Sequence, residues 1–232
     1  MERLGTQPRN QTEARATAGL TPTAWAIAVV WFGVSTFLGA RGFYSEHARA
    51  IPLLVLGPVA VYMLAFAFSQ RLRAWTLAFD LKELVAVQTA RVGGIAFLAV
   101  YAVGQLNPKF ALWAGGLDCV VGFSAPFAAH YLAPPRTARQ WFLLVAWIAI
   151  GVVDFLVAIP LARICRIEDP ASMSALSRPP LSMITQFFVP LALIDYLILS
   201  AQLWRLRSRS VAAAGSVPPG APASASYGGR RR

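Results

Sequence analysis

Charge is scarce in this sequence. Only 13% of its residues are Asp, Glu, Lys or Arg, about half the roughly 25% of an ordinary soluble domain. Lysine occurs only at Lys82 and Lys109, histidine only at His47 and His130, cysteine only at Cys119 and Cys165. Each shortage excludes a chemistry. Two cysteines are too few for a disulfide scaffold, and their spacing relative to the histidines matches no zinc site. A retinal Schiff base needs a lysine within an apolar run, and neither lysine lies in one. A bis-histidine haem needs two histidines at one depth, whereas the topology derived below sends His47 and His130 to opposite sides. There is no phosphate-binding Walker loop and no His-Glu-x-x-His pair. No cofactor and no metal are expected.

What the chain has in excess is apolar length. Of its 232 residues, 57% are hydrophobic, and the mean hydropathy is +0.56. The apolar residues come in long runs, which excludes an ordinary soluble domain and a disordered chain alike. A spanning helix needs roughly 20 predominantly apolar residues. Six stretches qualify, at about 22–40, 51–69, 84–104, 110–132, 141–161 and 182–204. Barrel strands would alternate apolar and polar residues, and these runs do not. The expected fold is all-α, a bundle of six transmembrane helices over residues 22–205. Thr21 is placed to cap the first helix, and Pro22 suits its first position. Residues 1–21 form a polar N-terminal tail. Residues 206–232, rich in Ala, Ser, Gly and Pro, read as a disordered basic tail.

The net charge of +11 would suggest nucleic acid in a soluble protein. In a membrane protein it sets orientation instead. Fourteen Lys and Arg fall on the side of the two tails, six on the other side, and Arg91 lies within a span. Removing the three terminal arginines still leaves eleven against six. The positive-inside rule then places both termini in the cytoplasm of a multi-pass plasma (inner) membrane protein. The lipid bilayer is the first expected partner. Arg205, Arg207, Arg209, Arg230, Arg231 and Arg232 can touch anionic lipid, at about 1 kcal/mol per charge near the surface. No feature of the tail reads a nucleic-acid sequence. A membrane partner or a second copy of the chain would fit a subunit role.

Two connections look like more than turns. Residues 71–83 place Leu72, Trp75 and Phe79 at helical spacing, as in an interfacial helix. Residues 163–181 hold three prolines and mixed charge, and read as a connection or a cap over an outer vestibule.

The candidate functional residues are the polar groups inside the spans: Arg91, Asp118, Asp154 and Asp195, with Gln88 one turn from Arg91 and His130 at the end of span four. A charge at the centre of a span costs roughly 2.5–3.5 kcal/mol on insertion scales, so such groups pair or face a hydrated path. Counting about 1.5 Å per residue from the span ends sorts them by depth. Arg91 and Asp195 fall at one level and suggest an ion pair. Asp118 and Asp154 fall in the outer third and suggest a carboxylate pair sharing a proton. Pro126 and Pro190 each free a backbone carbonyl in their spans. Gly93-Gly94 and Gly115-Gly116 permit close helix approach. Ser124 and His130 sit six residues apart on one helix, roughly 120° around it, the wrong geometry for a serine–histidine protease.

The run Arg91-Val-Gly-Gly-Ile-Ala-Phe-Leu, followed by Phe110-Ala-Leu-Trp-Ala-Gly-Gly-Leu-Asp118, resembles a pattern in uncharacterised bacterial multi-span integral membrane proteins. It covers roughly 30 residues. The resemblance implies membrane class and adds weight to Arg91 and Asp118, but no activity.

The role expected from the sequence is a non-catalytic membrane subunit or scaffold, whose polar residues hold helices together. The alternative is a small-solute or proton-coupled transporter using Asp118 and Asp154. An intramembrane enzyme ranks third. The first two differ in one structural feature: transport requires a hydrated cavity reaching Asp118 or Asp154, whereas a scaffold has a dry core.

Overall fold

The computed structural model describes residues 21–215, with side chains up to residue 208. The N-terminal tail and the arginines at 230–232 lie outside the described residues. All described regular structure is helical, with no strand. Among the described residues, six helices are long and apolar enough to cross a membrane: α1 (Pro22–Ala40), α2 (Ala48–Phe68), α3 (Leu81–Ala102), α4 (Pro108–Tyr131), α5 (Ala138–Glu168) and α6 (Leu181–Ser208). The chain is an all-α, multi-pass membrane protein. The two termini of the bundle lie at one end, called here the tail end, with the α1–α2, α3–α4 and α5–α6 connections at the far end.

Local chemistry sets the helix ends. The Thr21 side chain accepts from Ala24 N at 3.4 Å, and Pro22 occupies the first turn of α1. Asp80 accepts from Lys82 N at 2.7 Å, which starts α3 three residues before the apolar run proper. Thr137 and Gln140 form a reciprocal capping box at the start of α5. Gly104, at φ +72°, closes α3, a left-handed conformation that costs glycine little.

Three of the six helices are irregular. In α3 the residues Gln88–Gly94 form a 3₁₀ segment between the α-helical stretches Leu81–Val87 and Ile95–Ala102. In α4 and α6 the stretches Ala111–Gly115 and Ile184–Phe188 are π-helical. Segments of this kind are frequent at functional sites. The α5 helix runs 31 residues, about 46 Å at 1.5 Å per residue, which is longer than a hydrocarbon core of about 30 Å.

Two elements differ from the sequence expectation. The supposed loop from residue 163 is helical up to Glu168, because Arg163 and Arg166 carry long apolar stems that a helix end tolerates at the headgroup level. The remainder of that connection folds in, with a 3₁₀ turn over Ser174–Ser177 and with Met173 and Leu176 buried. At the other end, the last helix continues to Gly215, past the boundary at 206 where a disordered tail was expected. The residues Val-Ala-Ala-Ala at 211–214 favour the helix. The expected interfacial segment contains a short helix, Gln70–Thr76, capped by Ser69, with Phe79 buried behind it.

Two apolar clusters build the interior. One, toward the tail end, joins Leu84 and Val85 of α3, Ala128 of α4, Leu144 and Ile148 of α5, and Leu199 of α6. The other, toward the far end, joins Phe97, Phe110, Ala114, Ala158, Met173 and Leu181. The α1 and α2 helices sit at the periphery, with only 11% of each span buried against 44% for α4 and 50% for α6. Their exposed Val, Leu, Phe and Trp side chains form a lipid-facing surface, since in lipid apolar exposure carries no penalty. Trp31 and Phe32 of α1 both meet the Phe187 ring edge-on at 5.2 Å.

Candidate functional site

The scarce charges converge between the two apolar clusters. Arg91 stands in the 3₁₀ segment of α3 and is 6% exposed. Its Nε donates to Asp118 Oδ1 of α4 at 2.6 Å, and its Nη2 donates to Asp154 Oδ2 of α5. Its Nη1 donates to Tyr196 Oη of α6 at 2.9 Å and reaches the Gly151 carbonyl at 3.5 Å. The guanidinium also lies over the Phe155 ring, 4.3 Å from the centroid. A single planar group thus ties α3, α4, α5 and α6 together. Arginine suits this because its five N–H donors are fixed in one plane.

The arrangement corrects both pairs suggested by residue counting. Arg91 does not pair with Asp195. Its partner on α6 is the next residue, Tyr196, and Asp195 instead accepts from Gln88 Nε2 at 2.6 Å. Residues 88 and 91 lie about one turn apart on α3, whereas 195 and 196 point roughly 100° apart on α6, so each α3 side chain meets a different α6 residue. Asp118 and Asp154 do come together, but a guanidinium stands between them where a shared proton was expected. Depth counting failed for two physical reasons. The α3 helix starts at Leu81, three residues before the apolar run, and its 3₁₀ segment rises about 2.0 Å per residue, both of which carry Arg91 further along the bundle; α5 is longer than a hydrocarbon core, so distance from its start is not membrane depth.

The other candidates divide. Gln88, Asp118, Asp154 and Asp195 are all buried. His130 is not; it is exposed in the last turn of α4, against the Tyr131 ring. Ser124 is occupied locally: its hydroxyl donates to Val121 O and accepts from Trp147 Nε1. Among the described residues, Asp154 Oδ1, Asp195 Oδ1 and Gln88 Oε1 have no hydrogen-bond partner, and no group of three or more His, Cys, Asp or Glu is placed to hold a metal.

Glycines make the cluster fit. A methyl at Gly94 would overlap the Asp118 side chain, and one at Gly122 would overlap the backbone nitrogen of Val92. One at Gly151 would overlap the Tyr196 hydroxyl. By contrast, Gly93 and Gly116 face open space. Only one glycine of each sequence pair therefore makes a close approach, Gly94 in one and Gly115 in the other. Tyr196, Phe155 and Gly151 escaped the sequence reading, since a tyrosine, a phenylalanine and a glycine in an apolar span carry no signal of their own.

Beside the cluster, on its far-end side, opens a cavity of ≈ 530 Å³. Asp118 and Asp154 line its inner end, Phe97, Phe110 and Phe155 its walls, and Arg49, Arg163 and Arg166 its mouth. Its size falls within the roughly 300–1,000 Å³ of small-molecule sites. From Asp154 to Arg163 along α5 is about 13 Å. Toward the tail end lies the first apolar cluster.

The architecture and the cluster define a class: a six-span helical membrane protein with a bridged arginine–aspartate core beside a cavity. The chain belongs to a family described as a domain of unknown function, DUF8737, whose profile matches residues 48–206. The match takes in α2 to α5 and nearly all of α6, and with them the whole Arg91 cluster. No curated protein and no solved structure matches the chain.

Proposed function

We propose that the protein is a carrier for a small solute, which enters the cavity from the far end and rests against the Arg91–Asp118–Asp154 cluster. One observation carries this reading: the cavity reaches both aspartates. A scaffold held together by polar contacts needs the ion-pair cluster but no such space. The Arg91 bridge then serves as the inner gate. Passage toward the tails requires α3, α4 and α5 to separate at the cavity floor, where they are joined by charge-assisted hydrogen bonds that rank among the stronger polar contacts.

We place this carrier in the plasma (inner) membrane with its tails in the cytoplasm, so that the cavity opens outward. The uneven distribution of Lys and Arg supports this. Arg207 stacks over the Trp141 ring at 5.4 Å from the centroid, an arrangement suited to the interface, where Trp and basic side chains anchor. Arg205 beside it is exposed and free to meet anionic lipid.

The test is chemical access. In a background with Cys119→Ser and Cys165→Ala, a charged thiol reagent applied to membranes should modify Ala162→Cys, in the cavity wall. It should not modify Leu156→Cys, which is 67% exposed on the outer surface of the bundle, because a thiol in lipid is not ionised. Equal silence at both positions would mean a dry core and return the protein to the scaffold reading.

A further inference from the structure

The charges around the cavity are distributed unevenly, and that bears on what it holds. Three arginines line the mouth, and the only carboxylates in the lining are Asp118 and Asp154. Both are already engaged by Arg91. At the mouth, Arg166 donates to Ala48 O at 3.3 Å, Met173 O at 3.4 Å and Ser177 Oγ at 3.5 Å. These partners are neutral, so they position the guanidinium without cancelling its charge. Arg49 and Arg163 are exposed and make no hydrogen bond or ion pair with any described residue. Between mouth and floor the walls are apolar, with Val55, Phe97, Phe110, Phe155 and Ala158 among them. A cation entering here would pass three like charges before it reached two carboxylates that already share the Arg91 guanidinium. Lining charge of one sign raises the local concentration of the opposite one.

We infer that the solute is a single-chain amphiphilic anion, its carboxylate or phosphate-like head held by Arg49 and Arg163 and its apolar body lying among the three phenylalanines. This inference rests on the carrier reading above and deepens it. The volume of ≈ 530 Å³ has room for roughly fifteen to twenty heavy atoms at about 30 Å³ each, which suits one acyl chain. The mouth also sits where an amphiphile is found. It lies at the start of α2 and the end of α5, the headgroup level at which arginine side chains extend toward water. Arginine is the fitting head-group ligand because its planar fork binds carboxylate and phosphate oxygens in pairs.

The experiment uses the full chain in phosphatidylcholine nanodiscs, with dodecanoate, dodecanol and dodecyltrimethylammonium as probes. Binding is read by titration and as ligand-induced rise in melting temperature. Dodecanoate should bind saturably and more tightly than the other two. The double change Arg49→Gln with Arg163→Gln should weaken dodecanoate by at least about tenfold while leaving dodecanol unchanged, because only the charge-assisted contact is lost. Ala158→Trp, or Ala114→Phe should the first not fold, should abolish binding of both chains. Dodecanoate affinity untouched by the arginine changes, or tighter binding of the ammonium probe, overturns the anion assignment. Displacement of dodecanoate by phosphatidylglycerol added to the nanodisc overturns the single-chain solute instead, since the occupant would then be an anionic bilayer lipid. None of these results depends on whether Ala162→Cys reacts with a charged reagent. A reactive Ala162→Cys with no dodecanoate binding leaves the carrier standing and removes only its amphiphilic substrate.

Discussion

Arg91 holds its place through partners that are individually replaceable and collectively not. Removing it leaves Asp118 and Asp154 facing each other in a site where each is less than a tenth exposed. Arg91→Ala should therefore cost about 3–5 kcal/mol, the usual loss when one partner of a buried ion pair is removed. Arg91→Lys should recover only part of this, since an ammonium is a point charge and lacks the planar fork that reaches two carboxylates and a hydroxyl together. Replacing the whole set, Arg91→Met with Asp118→Asn and Asp154→Asn, should restore much of the melting temperature, because no charge is then left unpaired. A triple variant no more stable than Arg91→Ala would show that the cluster does not hold these helices. The identity of these residues was legible from sequence because a charge inside an apolar run is costly enough to need a reason. Their pairing was not. Asp195 and Tyr196 differ by one position on α6, and only packing decides which of them turns toward α3.

Helix contacts turn on which glycine of a pair faces its neighbour. Gly94 and Gly122 bring the 3₁₀ segment of α3 against α4, while Gly93 and Gly116 have open space beside them. Gly94→Ala and Gly122→Ala should each lose about 1–3 kcal/mol through overpacking. Gly93→Ala and Gly116→Ala should be neutral or gain about 0.5–1 kcal/mol, as alanine is the better helix former. Melting temperatures of the four single variants test this, and damage at Gly93 equal to that at Gly94 would contradict the packing described. The sequence alone marked Gly93, Gly94 and Gly116 as small residues at a helix contact and did not single out Gly122. It could not say which were close, because that depends on the 3₁₀ twist of α3. Helix ends show the same division. The start of α1 was readable from Thr21 and Pro22, which act within one turn. The end of α5 was not, since Arg163 and Arg166 look like loop residues until their long stems are placed at an interface.

For the molecule as a whole, six crossings put Ser174 and Ser208 at opposite ends, and both are exposed. With single cysteines at these sites in intact cells, an impermeant label should react at Ser174→Cys and not at Ser208→Cys; the reverse pattern would invert the proposed orientation. The number of crossings was legible because lipid demands about 20 apolar residues each time. The cavity was not, since its lining is gathered from five helices and one connection, and no local spacing records it. The bridge across α3, α4 and α5 also bears on how the chain is made. Asp118 follows Arg91 by 27 residues and Asp154 by 63. At a synthesis rate of about 5–20 residues per second, Arg91 waits roughly 3 to 13 seconds for its second carboxylate. During that interval α3 carries an unpaired charge that costs roughly 2.5–3.5 kcal/mol on insertion scales. Pairing removes that cost, so a cluster which joins the three helices in the finished protein also favours their leaving the insertion machinery together.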